Sequence, residues 1–214
     1  NNTTSPYGSR PMKLYRAACV FVLLGISFAR AGTEAVNRHL GGASELVAPS
    51  FEVAAETAYL WGAIGNANSY EIGTQFITAR WRWGVNPHEG FFRGYNQVYL
   101  LAMGEAIFRG PENRYFGIST GFRYNFVQRG WPVVPYISGG VGLGWIDSHA
   151  NIPGAQGQDF TFNILTAVGI SYQISDRWKV QLGGLYQHFS NAGQTQPNSS
   201  LNAFGPQIGL THSF

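Results

Sequence analysis

Stretch after stretch of the chain alternates apolar residues with small or polar ones over ten or more positions. From Thr161 to Ile174, one parity holds Phe162, Ile164, Val168, Ile170, Tyr172 and Ile174, and the other holds Asn163, Ala167, Gly169, Ser171 and Gln173. Tyr115 to Phe126 sets Phe116, Ile118, Phe122, Tyr124 and Phe126 against Gly117, Ser119, Gly121, Arg123 and Asn125, and Pro135 to Trp145 repeats the arrangement. A period of two predicts β-strands, because successive side chains point to opposite faces of a sheet. The second face discriminates further. A soluble sandwich would line it with Lys, Glu and Thr, whereas here it is Gly, Ser, Asn and an occasional Arg, which suits a narrow barrel lumen filled by side chains.

Eight such segments are expected: Phe51 to Gly62, Tyr70 to Trp83, Gly94 to Phe108, Tyr115 to Phe126, Val134 to Trp145, Phe160 to Ile174, Trp178 to Ser190 and Ala203 to Phe214. Together they predict an all-β fold, an eight-stranded antiparallel transmembrane β-barrel over residues 50–214, since only closure satisfies every backbone group in lipid. The connections alternate in character. Ala63 to Ser69, Arg109 to Arg114, Asp147 to Gln158 and Asn191 to Asn202 are polar loops for one rim. Gln128 to Pro132 and Ser175 to Arg177 are tight turns for the other, where Gly84 to Arg93 is long for a periplasmic turn. Trp61, Trp81, Trp83, Trp131, Trp145 and Trp178 fall near strand ends, as in an aromatic girdle.

Composition agrees. Charged residues make up 12% and aromatics 15% of the 214 residues, with 28 Gly, which argues against both a disordered tail and a charge-laced helical bundle. The net charge of +3 comes from the N-terminus: without Arg10, Lys13, Arg16 and Arg30, ten basic side chains face eleven acidic ones, and no nucleic-acid footprint remains. Lys13 and Arg16 precede an apolar run, Ala17 to Phe28, and then Ala29-Arg30-Ala31. This pattern predicts an N-terminal extension and secretory signal peptide over 1–31, cleaved after Ala31, with 32–49 as a periplasmic segment; the run is too short for a membrane-spanning helix of roughly 20 residues. The single cysteine, Cys19, lies in the leader, so the mature chain would hold no disulfide.

Candidate chemistry appears where the pattern breaks, because a polar side chain on the lipid-facing parity needs a reason. His188 and Ser190 share parity with Val180 and Leu182, and Asn202 shares parity with Phe204, Ile208 and Leu210. Three polar side chains therefore project outward from the adjoining ends of the last two strands, at the extracellular rim. His and Ser at i and i+2 point the same way, about 6–7 Å apart along the strand. A serine needs a base to become a nucleophile, and the base needs a third group to fix its tautomer; Asn202, across the hairpin, is placed for that.

The run Gln187-His188-Phe189-Ser190-Asn191-Ala192-Gly193, with Gln196-Pro197-Asn198 after it, resembles the H-x-S-N-A signature of the PagL-type lipid A 3-O-deacylases, eight-stranded outer-membrane serine hydrolases. The close resemblance covers Tyr186 to about Asn202; beyond it the strand count, leader and terminal Phe214 agree. It implies Ser190 as nucleophile and His188 as general base, with Asn191, Ala192 and Gly193 binding the oxyanion or shaping the site. It also implies lipid A of the outer leaflet as substrate and no cofactor or metal. The best-known members carry a Glu fourteen positions after the His, where this chain has Asn202. The calcium-dependent outer-membrane phospholipase A is similar in using a His-x-Ser pair with an Asn at comparable spacing, so a phospholipid acyl hydrolase is the neighbouring reading. A non-catalytic structural or adhesion barrel is the reading from another class, and a homodimer is left open.

The other histidines, His39, His88, His149 and His212, lack metal-ligand spacing. Gly139 to Gly144 falls within strand alternation with no helix after it, unlike a phosphate-binding loop. Arg123, on the lumenal parity, calls for a carboxylate such as Glu56, Glu71 or Glu105.

Overall fold

The computed structural model describes residues 49–64 and 68–214. The expected leader over 1–31 with its cleavage site and Cys19, the segment 32–48 and His39 lie outside the described residues. Eight strands succeed one another: β1 (Phe51–Ile64), β2 (Asn68–Asn86), β3 (Gly94–Arg109), β4 (Arg114–Phe126), β5 (Val133–Ile146), β6 (Phe160–Gln173), β7 (Trp178–Ser190) and β8 (Leu201–Ser213). Each pairs antiparallel with the next and β8 returns to β1, closing the barrel. The shortest strands have 13 residues, more than the roughly 9–11 that cross a bilayer.

Most boundaries lie one to three residues from the sequence reading, and two of these shifts change the picture. β2 continues through Gly84 to Asn86 with a register shift between Arg82 and Gly84, so the long turn shrinks to residues 87–93. β8 begins at Leu201, which puts Asn202 inside the strand rather than at the end of the loop and directly opposite His188.

The two faces are those that the alternation calls for. Outward side chains include Ile77, Leu100, Phe116, Ile118, Phe122, Val141, Val168, Leu182 and Ile208, and all six Trp are exposed, as lipid-facing residues of a membrane barrel must be. Where polar groups break this face at mid-strand they satisfy each other: Gln75 Nε2 donates to Thr57 Oγ1 at 2.7 Å, and Thr57 donates to Thr74 O at 2.9 Å.

The lumen is packed. In β5, Gly140 and Gly144 face the hydroxyls of Tyr99 and Tyr115, and a Cβ at Gly140 would lie 2.2 Å from that of Tyr99, so these two glycines make room for rings. Toward the rim where β1 begins and β8 ends, a polar network crosses the barrel. Arg80 Nη2 contacts Glu56 Oε1 at 2.6 Å, and Glu52 is held by Lys179, Ser213 and Gln97. The void beside Glu56, Arg80, Arg123 and Tyr136 is about 30 Å³, room for water and nothing larger.

Arg123 does not reach the carboxylate expected for it. It donates to Asn125, Gln181 and Ser171 at 3.0, 3.0 and 2.8 Å and lies 3.6 Å over the Tyr136 ring. Gln181 relays it to Glu56, whose direct cation is Arg80. Glu71 is not lumenal at all; it sits on the outer face, bonded by Tyr59 and 3.7 Å from Arg109.

Candidate active site

β7 and β8 bring His188 and Asn202 into contact, while Ser190 shares the outward face of His188 two residues on and makes no hydrogen bond to it. Their ladder pairs His188 with Asn202, Tyr186 with Phe204 and Leu182 with Ile208. Gln181, Leu185, Gln187 and Phe189 fill the lumen, so the opposite parity, with Leu182, Tyr186, His188 and Ser190, faces outward. His188 and Ser190 are half-buried and Asn202 is exposed. The cluster lies at the rim that carries the two longest connections among the described residues, 147–159 and 191–200, which in such barrels is the extracellular one.

His188 Nδ1 lies 2.8 Å from Asn202 Oδ1. An amide oxygen has no hydrogen to give, so Nδ1 is the donor in this contact, the tautomer of a neutral imidazole that leaves the Nε2 lone pair free. The same oxygen accepts a second bond, from the Tyr186 hydroxyl at 2.7 Å. Tyr186 pairs directly with Phe204 and reaches Asn202 across the diagonal, a span that aromatic side chains cover between strands. Sequence reasoning left Tyr186 out. Its parity was legible, but the contact depends on the β7–β8 register.

The segment after Ser190 is tied down by its own hydrogen bonds. Asn191 is fully buried. Its Nδ2 donates to Thr195 O (2.8 Å) and Pro197 O (3.2 Å), its Oδ1 accepts from Gly193 N (2.9 Å), and its backbone N–H donates to Asn198 Oδ1 (3.1 Å). Both side-chain amide hydrogens are therefore used within the loop, so the Asn191 side chain shapes the site and has no donor left for an oxyanion. Gly193 N–H is engaged as well. Ala192, at φ 53, sits in the left-handed region at a cost of about 1–2 kcal/mol for an L-residue, and Gly193 follows at φ 76. Ala192 N–H has no acceptor among the described residues.

The neighbouring loop braces this one. Gly157 N donates to Pro197 O at 2.8 Å, Gln156 to Ser199 O, Gln158 to Gln194 at 2.8 Å, and Thr195 to Gln158. Gln156 N in turn donates to Glu112 Oε1 at 2.7 Å, and Tyr70 donates to the other oxygen of the same carboxylate. None of these loop contacts had a sequence signal, because they join residues about 40 positions apart with no periodicity to mark them. The outer faces on either side are aromatic. Phe162, opposite Ser190, stacks edge-on with Phe160, which does the same with Trp145; beyond β8 stand Phe204 and, opposite it on β1, Trp61. The remaining described histidines, His88, His149 and His212, stand apart from this cluster, and His212 stacks edge-on with Trp178 and Phe214 at the other rim.

A family model described as lipid A 3-O-deacylase (PagL) matches residues 68–211, a stretch that contains His188, Ser190 and Asn202. No curated protein sequence matches the chain. Among solved structures, Neisserial surface protein A is similar with a TM-score of 0.58 and 16% identity, covering 77% of this chain and 97% of the other. The outer-membrane enzyme PagL is similar with a TM-score of 0.51 and 18% identity, covering 76% and 99%. At those identities the two structures speak for the fold: an outer-membrane β-barrel. The family model covers two thirds of the chain, and with it this protein belongs to the lipid A 3-O-deacylase (PagL) family.

Proposed function

We propose that the protein removes the ester-linked acyl chain at the 3-position of lipid A, with Ser190 as nucleophile and His188 as general base. Family membership supports the reaction class. The outward-facing His188–Asn202 hydrogen bond, on the same strand face as Ser190, carries the assignment of residues. A substrate embedded in the outer leaflet gives a hydrolytic group a reason to face lipid at all.

In this reading the Ser190 hydroxyl attacks the acyl carbonyl carbon and its proton passes to His188 Nε2. The imidazolium so formed keeps its Nδ1–H on Asn202. Ala192 N–H is the backbone donor left for the oxyanion. The tetrahedral intermediate collapses, the C–O bond to the sugar breaks, and the sugar oxygen leaves with the proton from Nε2. Water, deprotonated by the same nitrogen, then cleaves the acyl-serine and releases the fatty acid. The aromatic faces of β6 and β8 on either side of Ser190 suit an acyl chain. All three site side chains come from one barrel, so the chemistry needs no second copy of the chain.

The test is mass spectrometry of lipid A from cells expressing the wild-type chain or Ser190→Ala, with equal folding into the outer membrane. Loss of one ester-linked hydroxyacyl group in wild type alone is the expected result. Unchanged lipid A in both, with the barrel folded, would exclude this substrate and leave phospholipid turnover or a non-catalytic barrel.

A further inference from the structure

The position where this chain has Asn202 raises a problem that a carboxylate does not have. A carboxylate accepts a hydrogen bond on either oxygen, whichever way it turns. An amide has one accepting and one donating end. With Oδ1 toward His188, the proton stays on Nδ1 and Nε2 is a base. With Nδ2 toward His188, the amide donates to Nδ1, the proton must sit on Nε2, and no base remains for Ser190. In a Ser-His-Asp triad, changing the acid to an amide costs roughly 10⁴ in rate through this wrong tautomer.

We propose that Tyr186 is a positioning residue that holds the Asn202 amide oxygen toward His188 and so keeps the imidazole in the tautomer a serine hydrolase needs; the proposal rests on reading Ser190 and His188 as nucleophile and base. Two donors converge on one oxygen: Tyr186 Oη at 2.7 Å and His188 Nδ1 at 2.8 Å. Asn202 Nδ2 has no acceptor among the described residues, so nothing else in the barrel pulls the amide the other way. A phenol is a better donor than acceptor, so the hydroxyl favours the oxygen over the NH₂ group at that place. Its hydrogen bond also draws negative charge onto Oδ1, replacing part of what a carboxylate would offer the imidazolium. The geometry explains why the hydroxyl is there. Tyr186 is exposed on a lipid-facing strand where a Phe would satisfy the hydrophobic requirement equally well.

The experiment compares wild type, Tyr186→Phe, Asn202→Asp and the double variant as full-length protein folded into lipid nanodiscs. It uses two readouts: the ¹⁵N shifts of the His188 ring, and turnover of 3-O-acylated lipid A. Wild type should show a protonated Nδ1 and a bare Nε2. Tyr186→Phe should move the proton toward Nε2 and lower kcat by about tenfold, the scale of one hydrogen bond's net contribution, with KM unchanged. With Asp at 202 the tautomer no longer depends on a donor, so Tyr186→Phe should cost less than about twofold there and leave the ring shifts alone. An unmoved tautomer in Tyr186→Phe, or an equal loss in both backgrounds, overturns the proposal. The two readings fail separately. A tautomer shift in a chain that hydrolyses no lipid A keeps the positioning role and removes the proposed function, whereas hydrolysis with an unmoved tautomer does the reverse.

Discussion

At the scale of single residues, Asn191 and Asn202 have opposite duties although both are amides in the same hairpin. Asn191 is fully buried and spends its side-chain hydrogens on Thr195 O and Pro197 O, whereas Asn202 is exposed and offers its oxygen to two donors. Asn191→Ala should therefore leave the barrel folded but loosen the 191–200 loop, with a loss of turnover of up to about 100-fold, since small misplacements at a reacting centre have that effect. Heat-modifiable gel migration checks the fold and a lipid A hydrolysis assay the rate. His188, Ser190 and Asn202 were legible as candidates in the sequence because each breaks an apolar parity. The same test could not find Tyr186, because an aromatic ring on the lipid face breaks nothing; its role lies in the hydroxyl, which only the strand register carries to Asn202.

At the scale of elements, strand positions were legible and loops were not. The period of two placed β7 to the residue, whereas β2 ran three residues past the Trp83 expected to end it and β8 began two residues early. Alternation weakens where strands leave the membrane, since the outward face there no longer has to be apolar. The extracellular loops hold together through contacts without pattern. Asp147, just beyond β5, accepts from the Asn113 backbone and side chain and from Arg114 N, each at 2.9 Å. Partial burial pushes its carboxyl up, but these hydrogen bonds outweigh it, the Asn113 side chain first, and hold it below the ordinary aspartate value of 3.8. A lowered folded-state value adds stability that is present above the unfolded value and lost as pH falls through the folded one. The amides of Asn113 and Arg114 should stay protected from exchange down to about pH 4 and lose protection only under stronger acid. Amide exchange of the folded barrel across pH 3–6 checks this; protection lost near pH 6 would contradict it.

At the scale of the whole molecule, the barrel buries the Arg80–Glu56 ion pair in its lumen, and the proposed chemistry lies on its outer face. Arg80 and Glu56 are both buried and in contact, so Glu56→Gln leaves a buried cation short of its partner and should destabilise the barrel by about 3–5 kcal/mol. Glu105 is also buried, but its one bond comes from Gln187 at 2.8 Å and its second oxygen has no partner. Glu105→Gln should therefore be neutral or stabilising, and urea unfolding in lipid vesicles separates the two variants. The lumen is packed with side chains, and under the proposed function the outer face of β7 and β8 carries the chemistry. The most direct measurement of that claim is labelling of the folded protein with a long-chain fluorophosphonate, followed by peptide mass spectrometry. A single adduct on Ser190, lost in His188→Ala, is the predicted result; a folded, membrane-embedded barrel that takes no label, or takes it elsewhere, would contradict the account.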